Sequence, residues 1–587
     1  MADSLSRSRA LAWLAAITAI GAALRYYGLA WGAPYYHFHI DEHFVFSAAD
    51  LLRRSAHDAA MSSKFFMYGP LPAYMLNVVR YVYETFNHTL VLSNPRDEVT
   101  YMVMGRAISA TMGTLQIPVV YAIGTRIAGR RAGLFAAAFL AVAVIHLRES
   151  HFFSVDSSMT FFVVLTWWAM LATVDAGGMV SRIASGVAYG CALASKYSSA
   201  FMGLPLGVAH LLAPGRPKSL QPLSAWGRWV LRGITPLLVT ALVFLAADSI
   251  AFRYWDKFRD DIRVWVVEPL TGQTQFLWTA NFYDVTSPHW YWFTNLLWWG
   301  LGPAMEIWAL AGLAWLLVRR SKAAFVSAIV PLTYFAVAGN TTAPFLRYAI
   351  PLIPALAVCA GVLSADILRV RALRIAGLVA TSLVLGSTAL YAAAYMNIYR
   401  QEDARVVAAR YIRDTIPAGA PVLVEPSQIL PPMGSYFDRI DFNVSYQPRG
   451  RRGELDIDRR WSPRVHLVLL DSYNFLYEPR VDLPNGQRGS LTDDEKRAYI
   501  AARVAEADWI ITDDSFLEFY AHLPWDKYGP VKQYHKDLVE GRLGFVLDRS
   551  FKVYPSLFGV DIKDEGSELT FRLFDHPRVS IYRRVGG

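Results

Sequence analysis

Apolar stretches long enough to cross a lipid bilayer recur through most of this chain. They lie at about 9–29, 101–125, 132–147, 157–175, 183–195, 198–213, 233–249, 291–317, 323–339, 346–364 and 373–395. A spanning helix takes about 20 mostly apolar residues, because hydrocarbon offers the backbone no hydrogen-bond partner outside the helix. Roughly eleven such blocks predict a polytopic α-helical membrane protein. The composition agrees, with 54% hydrophobic and 18% charged residues among 587. The short blocks 183–195 and 198–213 flank Ser195-Lys196-Tyr197 and predict a broken pair of helices. The first block is followed by Arg25-Tyr26-Tyr27 rather than by a small-residue cleavage site, so it reads as a retained span. Segment 66–86 is apolar but carries Arg80 and Glu84, which predicts an interfacial amphipathic helix.

Basic residues orient the blocks. One side receives Arg7 and Arg9, Arg126, Arg130 and Arg131, and Arg182. It also receives Arg216, Lys218, Arg228 and Arg232, then Arg319, Arg320 and Lys322, then Arg369, Arg371 and Arg374. Basic loops stay in the cytoplasm. The N-terminus is therefore expected inside, with 30–100, 148–156, 250–290, 340–345 and everything after about 396 outside. The net charge of +9 sits mainly in these loops, which argues against nucleic acid as a partner. Cys191 and Cys359 fall inside apolar blocks and read as packed thiols.

From Asp403 onward charges are frequent and no block is long enough to span. Val422–Val424, Val465–Leu470 and Trp509–Ile511 read as short buried strands. Thr492 to Ala507 reads as a helix, with Thr492 and Glu495 at capping-box spacing. The expected division is 1–398, a membrane domain, and 399–587, an extracytoplasmic α/β domain. Asn443-Val444-Ser445 is a glycosylation sequon by pattern only.

Ionisable residues gather at the outer boundary. His37-Phe38-His39-Ile40-Asp41-Glu42-His43 follows the first span. Ionisable groups at such a place are costly and mark function. A carboxylate held there can deprotonate a hydroxyl; the competing reading of Asp41 is a helix cap. His37, His39 and His43 leave a divalent metal open, and nothing else in the chain points to a cofactor. Arg148, Glu149, His151 and Asp156 form a second outer group, with helix capping again the alternative for Asp156. Lys196 lies in apolar surroundings, where a buried cation needs an anion unless it snorkels. Arg347-Tyr348 opens a span and is followed by Pro351 and Pro354. Arg suits bidentate phosphate recognition, so Lys196 and Arg347 together are candidates to hold a lipid phosphate. Arg253, Lys257 and His289 share an outer loop with Trp290, Tyr291 and Trp292, which read as an interfacial belt.

The order of these motifs resembles the GT-C membrane glycosyltransferases. The acidic pair after the first span, Asp156 before a later one, Lys196-Tyr197-Ser198, and Arg347-Tyr348 with its prolines all take part. The chain is similar to the bacterial members of the protein O-mannosyltransferase and aminoarabinose transferase superfamily (glycosyltransferase family 39-like). Tyr68-Gly69-Pro70-Leu71-Pro72-Ala73-Tyr74 resembles the stretch that follows the acidic loop there. Phe574-Asp575-His576-Pro577-Arg578-Val579 resembles the ending of many bacterial relatives. The resemblance implies an enzyme of the bacterial inner membrane that uses a polyprenyl-phosphate sugar, as undecaprenyl phosphate in bacteria. The acceptor would be a protein, lipid or glycan hydroxyl, and a single displacement would invert the anomeric centre. It also implies Asp41 as general base supported by Glu42, and Asp156 as a second acidic position. Lys196, Arg347 and Tyr348 would lie at the lipid phosphate. In the aminoarabinose transferases a Lys precedes the proline element; here Tyr68 holds that place and Lys64 lies four residues earlier. The competing functions are a flippase for lipid-linked sugars and a membrane assembly scaffold.

Overall fold

The computed structural model describes residues 5–33, 39–62, 65–92, 94–217, 222–271, 273, 282–425, 431, 465–470, 472, 481–482, 488–489 and 492–586. His37, Lys64 and the sequon at 443–445 lie outside the described residues. The chain divides into two compact units. The first comprises Met1–Ala30, Asp41–Val267 and Ser287–Met396; the second comprises Trp31–Ile40, Glu268–Thr286 and Asn397–Gly587.

The first unit is helical. Each of the apolar blocks falls on helix, among them Arg7–Tyr26, Pro95–Ala128, Val155–Ala176, Met179–Ser195, Leu223–Ala247, Lys322–Ala338, Leu352–Ile367 and Arg374–Met396. Among the described residues four helical runs have the length and apolarity of a full span, or five when the bent pair Arg130–Val142 and Val144–Ser150 counts as one. The others are shorter apolar helices, including Pro303–Val318 and Lys322–Ala338. Among the described residues the remaining blocks form shorter or bent apolar helices, interrupted where Pro, Gly and polar residues break the run. Tyr197–Leu212 is such a case, a 3-10 turn leading into a helix after the break at Lys196.

These helices need an apolar solvent. Only 11% of the spanning window in Leu223–Ala247 is buried, so Leu231, Leu238 and Leu242 face outward. Val155–Ala176 is 72% buried and serves as a core helix. Helices Pro303–Val318 and Leu352–Ile367 touch backbone to backbone: a Cβ on Gly312 would lie 2.2 Å from the Cys359 carbonyl oxygen. Small residues permit such contacts in membrane bundles. Helix Leu71–Phe86 turns Arg80 inward. Arg80 is buried and donates to Glu84 at 2.8 Å, while Val78, Tyr81, Val82 and Phe86 are exposed. The Arg80 charge is thus satisfied inside, Glu84 is partly exposed and also pairs with Arg53, and the helix shows an apolar face outward.

The second unit is α/β. We label the strands of its main sheet β1 (Pro421–Val424), β2 (His466–Leu469), β3 (Trp509–Asp513), β4 (Phe545–Phe551) and β5 (Val579–Arg584). Their spatial order is β2-β1-β3-β5-β4. β1 pairs in parallel with β2 and β3, while β5 runs antiparallel to β3 and β4. β3 is buried along its whole length, as a central strand covered on both faces must be. Helix Asp493–Glu506 has the expected reciprocal cap: Thr492 N donates to Glu495 Oε2 at 2.7 Å, and Glu495 N donates to Thr492 Oγ1 at 3.3 Å.

Candidate active site

The site is built at the ends of helices in the first unit. Asp41 lies in the first turn of helix Ile40–Arg54. Asp156 lies in the first turn of Val155–Ala176, whose N-cap is Ser154, so Asp156 is not itself the cap. Carboxylates in a first turn are favoured by the helix dipole. Lys196 ends helix Met179–Ser195 in extended backbone, φ −155° and ψ 126°. Arg347 and Tyr348 occupy the 3-10 turn Leu346–Ala349. Pro351 caps the helix that follows and prevents it from extending back through this turn.

These residues converge. Arg347 Nη1 lies 2.9 Å from Asp41 Oδ2. Tyr68 OH donates to Asp41 Oδ1 at 3.3 Å. Lys196 Nζ donates to Asp156 Oδ1 at 2.7 Å. The Lys196 ammonium sits 4.1 Å from the centre of the Tyr348 ring and 5.7 Å from that of Tyr68. The Arg347 guanidinium lies 5.4 Å from the Tyr348 ring and 4.9 Å from the Phe345 ring. Two carboxylates, two cations and two tyrosines therefore share one cluster, with Tyr348 against both cations.

Local packing fixes it. A Cβ on Gly69 would lie 2.0 Å from the Ala194 carbonyl oxygen, so the loop carrying Tyr68 rests directly on the backbone that leads to Lys196. Tyr197 OH is 3.3 Å from the Tyr68 carbonyl and donates to Asp248 at 2.9 Å. Tyr334 OH donates to the Tyr348 carbonyl. Burial pushes the Asp41 carboxyl above its ordinary value; Arg347 opposes this, the Asp156 charge adds to it, and Lys196 and the Tyr68 hydrogen bond oppose it. Burial likewise raises the Tyr68 phenol, which stays a donor.

The remaining described candidates have partners of their own, and the Glu149 carboxylate also feels the Asp156 and Arg347 charges. Glu42 is fully buried and holds Arg106 through both oxygens, Nε to Oε1 at 2.8 Å and Nη2 to Oε2 at 2.9 Å. Glu42 also accepts from Phe153 N at 2.9 Å. It ties the Asp41 helix to Pro95–Ala128 and to the turn before Asp156. Arg148 and Glu149 pair with each other, both buried. His151 bridges the Leu147 and Tyr27 carbonyls at 2.8 and 2.9 Å. Arg106, Asp248 and Tyr334 were missed from sequence, and Tyr197 entered only within the Lys196-Tyr197-Ser198 motif. Arg106 and Asp248 carried a signal, as ionisable residues inside the 101–125 and 233–249 blocks. Among the described residues no group of three or more His, Cys, Asp or Glu is placed to hold a metal ion.

Residues 25–255 match the model of the dolichyl-phosphate-mannose-protein mannosyltransferase family. The fold is similar to that of the Archaeoglobus fulgidus oligosaccharyltransferase in the apo form, with TM-score 0.50 and 12% identity over 95% of this chain and 76% of that chain. It is equally similar to the archaeal oligosaccharyltransferase AglB from the same organism, in complex with an inhibitory peptide and a dolichol-phosphate. That match has TM-score 0.50 and 13% identity over 94% of this chain and 75% of that one. ArnT from Cupriavidus metallidurans bound to undecaprenyl phosphate matches over 97% of this chain and 98% of that one, with TM-score 0.47 and 14% identity. No curated protein matches the chain by sequence.

Proposed function

We propose that this chain, a member of the GT-C superfamily of membrane glycosyltransferases, transfers a sugar from a polyprenyl phosphate to an extracytoplasmic hydroxyl, with Asp41 as general base. The donor would be carried on undecaprenyl phosphate, in a bacterial inner membrane with the N-terminus cytoplasmic. The observation that carries this reading is the Asp41–Arg347 pair beside the Asp156–Lys196 pair.

The pairs suit the chemistry. A lipid phosphate is an activated leaving group, so charge develops on phosphate oxygen as the anomeric bond breaks. Arg347 and Lys196 are the cations to stabilise that charge. A phosphate drawing Arg347 away would also remove the cation that restrains Asp41. The carboxylate would then become a better base as the donor binds. The acceptor hydroxyl attacks the anomeric carbon from the face opposite the phosphate, its proton passes to Asp41, and the anomeric centre inverts. Asp156 holds Lys196 in place, and Tyr68 and Tyr348 wall the site with aromatic surface. Glu42 supports the base indirectly, by fixing the helix on which Asp41 stands. Lys64 remains a further candidate at the donor.

Protein in liposomes, supplied with an undecaprenyl-phosphate-linked sugar from a bacterial lipid extract, tests the reading. Release of undecaprenyl phosphate with a glycosylated acceptor is expected. Passage of the intact lipid to the other leaflet without release would support a flippase and end the proposal.

A further inference from the structure

A second concentration of positive charge lies within the first unit, away from the reacting cluster. Arg182 stands near the start of helix Met179–Ser195 and Lys196 just past its end, about 20 Å apart at roughly 1.5 Å per residue. Arg182 is 1% exposed. Its Nη1 lies 2.7 Å from His210 Nδ1 and donates to the Arg232 carbonyl at 3.0 Å, while its Nε donates to the Gly177 carbonyl at 3.4 Å. It also feels the Arg232 charge. Lys322 Nζ donates to the Leu212 carbonyl at 2.9 Å, and a Cβ on Gly215 would lie 3.5 Å from Arg232 Nη1. Three cations thus meet at the end of helix Gly203–Leu212 and the turn that follows it.

Their charge is not balanced by the segments that carry them. Carbonyls at a helix end offer only partial negative charge, whereas a buried cation calls for a full one. Residues 176–247 and 307–365 contain no Asp or Glu. The acidic residues that border those segments are engaged elsewhere: Asp175 lies 3.8 Å from Arg126, and Asp366 is held by Arg319 and Arg369.

The surroundings suit a lipid. The Trp229 ring packs on His210 with centroids 4.5 Å apart and planes 30° from parallel, and Trp favours the boundary between hydrocarbon and water. A Cβ on Gly233 would lie 2.5 Å from His210 Nε2, so glycine lets helix Leu223–Ala247 come this close to the ring. Leu211, Leu231, Ile234 and Phe325, on the helices that carry His210, Arg232 and Lys322, are partly or largely exposed apolar side chains. A soluble anion would leave that apolar surface uncovered, whereas a lipid brings charge and hydrocarbon together.

We propose that Arg182, Arg232 and Lys322 form a binding site for the phosphodiester headgroup of an anionic membrane lipid, whose chains lie along the apolar side chains of the same helices. The phosphate meets the exposed Arg232 and Lys322 and compensates the buried Arg182. The site is separate from the donor site proposed above and does not depend on that reading.

Delipidated full-length protein in neutral detergent, titrated with phosphatidylglycerol or phosphatidylcholine and followed by native mass spectrometry, provides the test. The parent should bind phosphatidylglycerol the more tightly. Arg232→Gln with Lys322→Gln should weaken that binding about 30-fold, and either substitution alone about fivefold, as expected for cations near a lipid surface. Arg232→Lys with Lys322→Arg keeps both charges and should bind as the parent does. Arg371→Gln with Arg374→Gln removes two exposed cations that the charge pattern puts on the same side of the membrane, and should also bind as the parent does. An equal loss in that control pair would reduce the effect to general surface charge and overturn the proposal. So would the absence of any preference for phosphatidylglycerol in the parent. Displacement of the lipid by millimolar inorganic phosphate would make this a site for a soluble anion and overturn it as well.

Discussion

The Glu42–Arg106 pair offers a sharp test of how this site is supported. Arg106 makes two charge-assisted hydrogen bonds to Glu42, at 2.8 and 2.9 Å, and a third to the Leu29 carbonyl at 3.1 Å. Both side chains are essentially inaccessible to solvent. Each charged hydrogen bond is worth about 1.5–3 kcal/mol. Removing one partner of a buried pair costs about 3–5 kcal/mol, because the other charge is left uncompensated. That is a large share of a net stability of about 5–15 kcal/mol. Arg106→Met removes both guanidinium bonds to Glu42, which keeps the Phe153 amide. Glu42→Met leaves Arg106 with the Leu29 carbonyl. Both single variants should shorten the half-life of heat inactivation in detergent, the appropriate measure where unfolding is irreversible. The double variant should recover much of the loss, since no unpaired charge remains. Folded protein from either single variant should keep a slowed but measurable chemical step at low temperature, because the helix carrying Asp41 is less firmly held. A Glu42 variant of normal half-life but abolished turnover would refute this account and place Glu42 in the chemistry.

Three further outcomes follow from the same geometry. Tyr68→Phe removes a hydrogen bond that favours the charged form of Asp41, so its pKa rises further. The base must be deprotonated, so the acid limb of the kcat/KM profile should move to higher pH; a limb that does not move would separate Tyr68 from the base. Burial opposes charge on His576, but Asp564 and Asp575 outweigh it and raise its pKa to about 9. A raised pKa stabilises the fold fully below the unfolded value of about 6.5, and that contribution, on the order of 3 kcal/mol, is lost as pH climbs through about 9. Urea unfolding followed in the second unit should therefore weaken between about pH 7 and 9, and a His576→Gln variant should show a flatter profile; equal slopes would contradict the buried imidazolium. Gly69→Ala would press a methyl group against the Ala194 carbonyl. It should cut turnover about tenfold or more by shifting Tyr68, and normal turnover would show that this contact yields.

Much of the site was legible because ionisable residues stand out in apolar sequence. Asp41, Asp156, Lys196 and Arg347 were each visible at the edge of a block, and the break at Lys196 followed from two short helices in succession. Sequence did not show how they pair. Asp156 and Lys196 come from neighbouring helices, but Asp41 and Arg347 are far apart in the chain and meet only through packing. The part taken by Glu42 was hidden for the same reason, since its partner Arg106 lies on another helix. The hydroxyl of Tyr334 gave no signal, because an aromatic in an apolar block reads as packing, and Tyr197 was read only as part of a motif. In the second unit, three buried strands were legible as short apolar runs. β4 was not, since Asp548 and Arg549 interrupt it and much of it is exposed at the sheet edge. The inclusion of Trp31–Ile40 in that unit depends on ring contacts such as His39 with Phe574, which no local pattern encodes.

The most direct test of the account is Asp41→Asn in purified, folded protein, followed through a single turnover with an undecaprenyl-phosphate-linked sugar. The substitution keeps size and removes the base. The account predicts a loss of about 10²–10⁴-fold in the transfer step, the range for general-base catalysis, with undecaprenyl phosphate still bound. Transfer at the parent rate would contradict it.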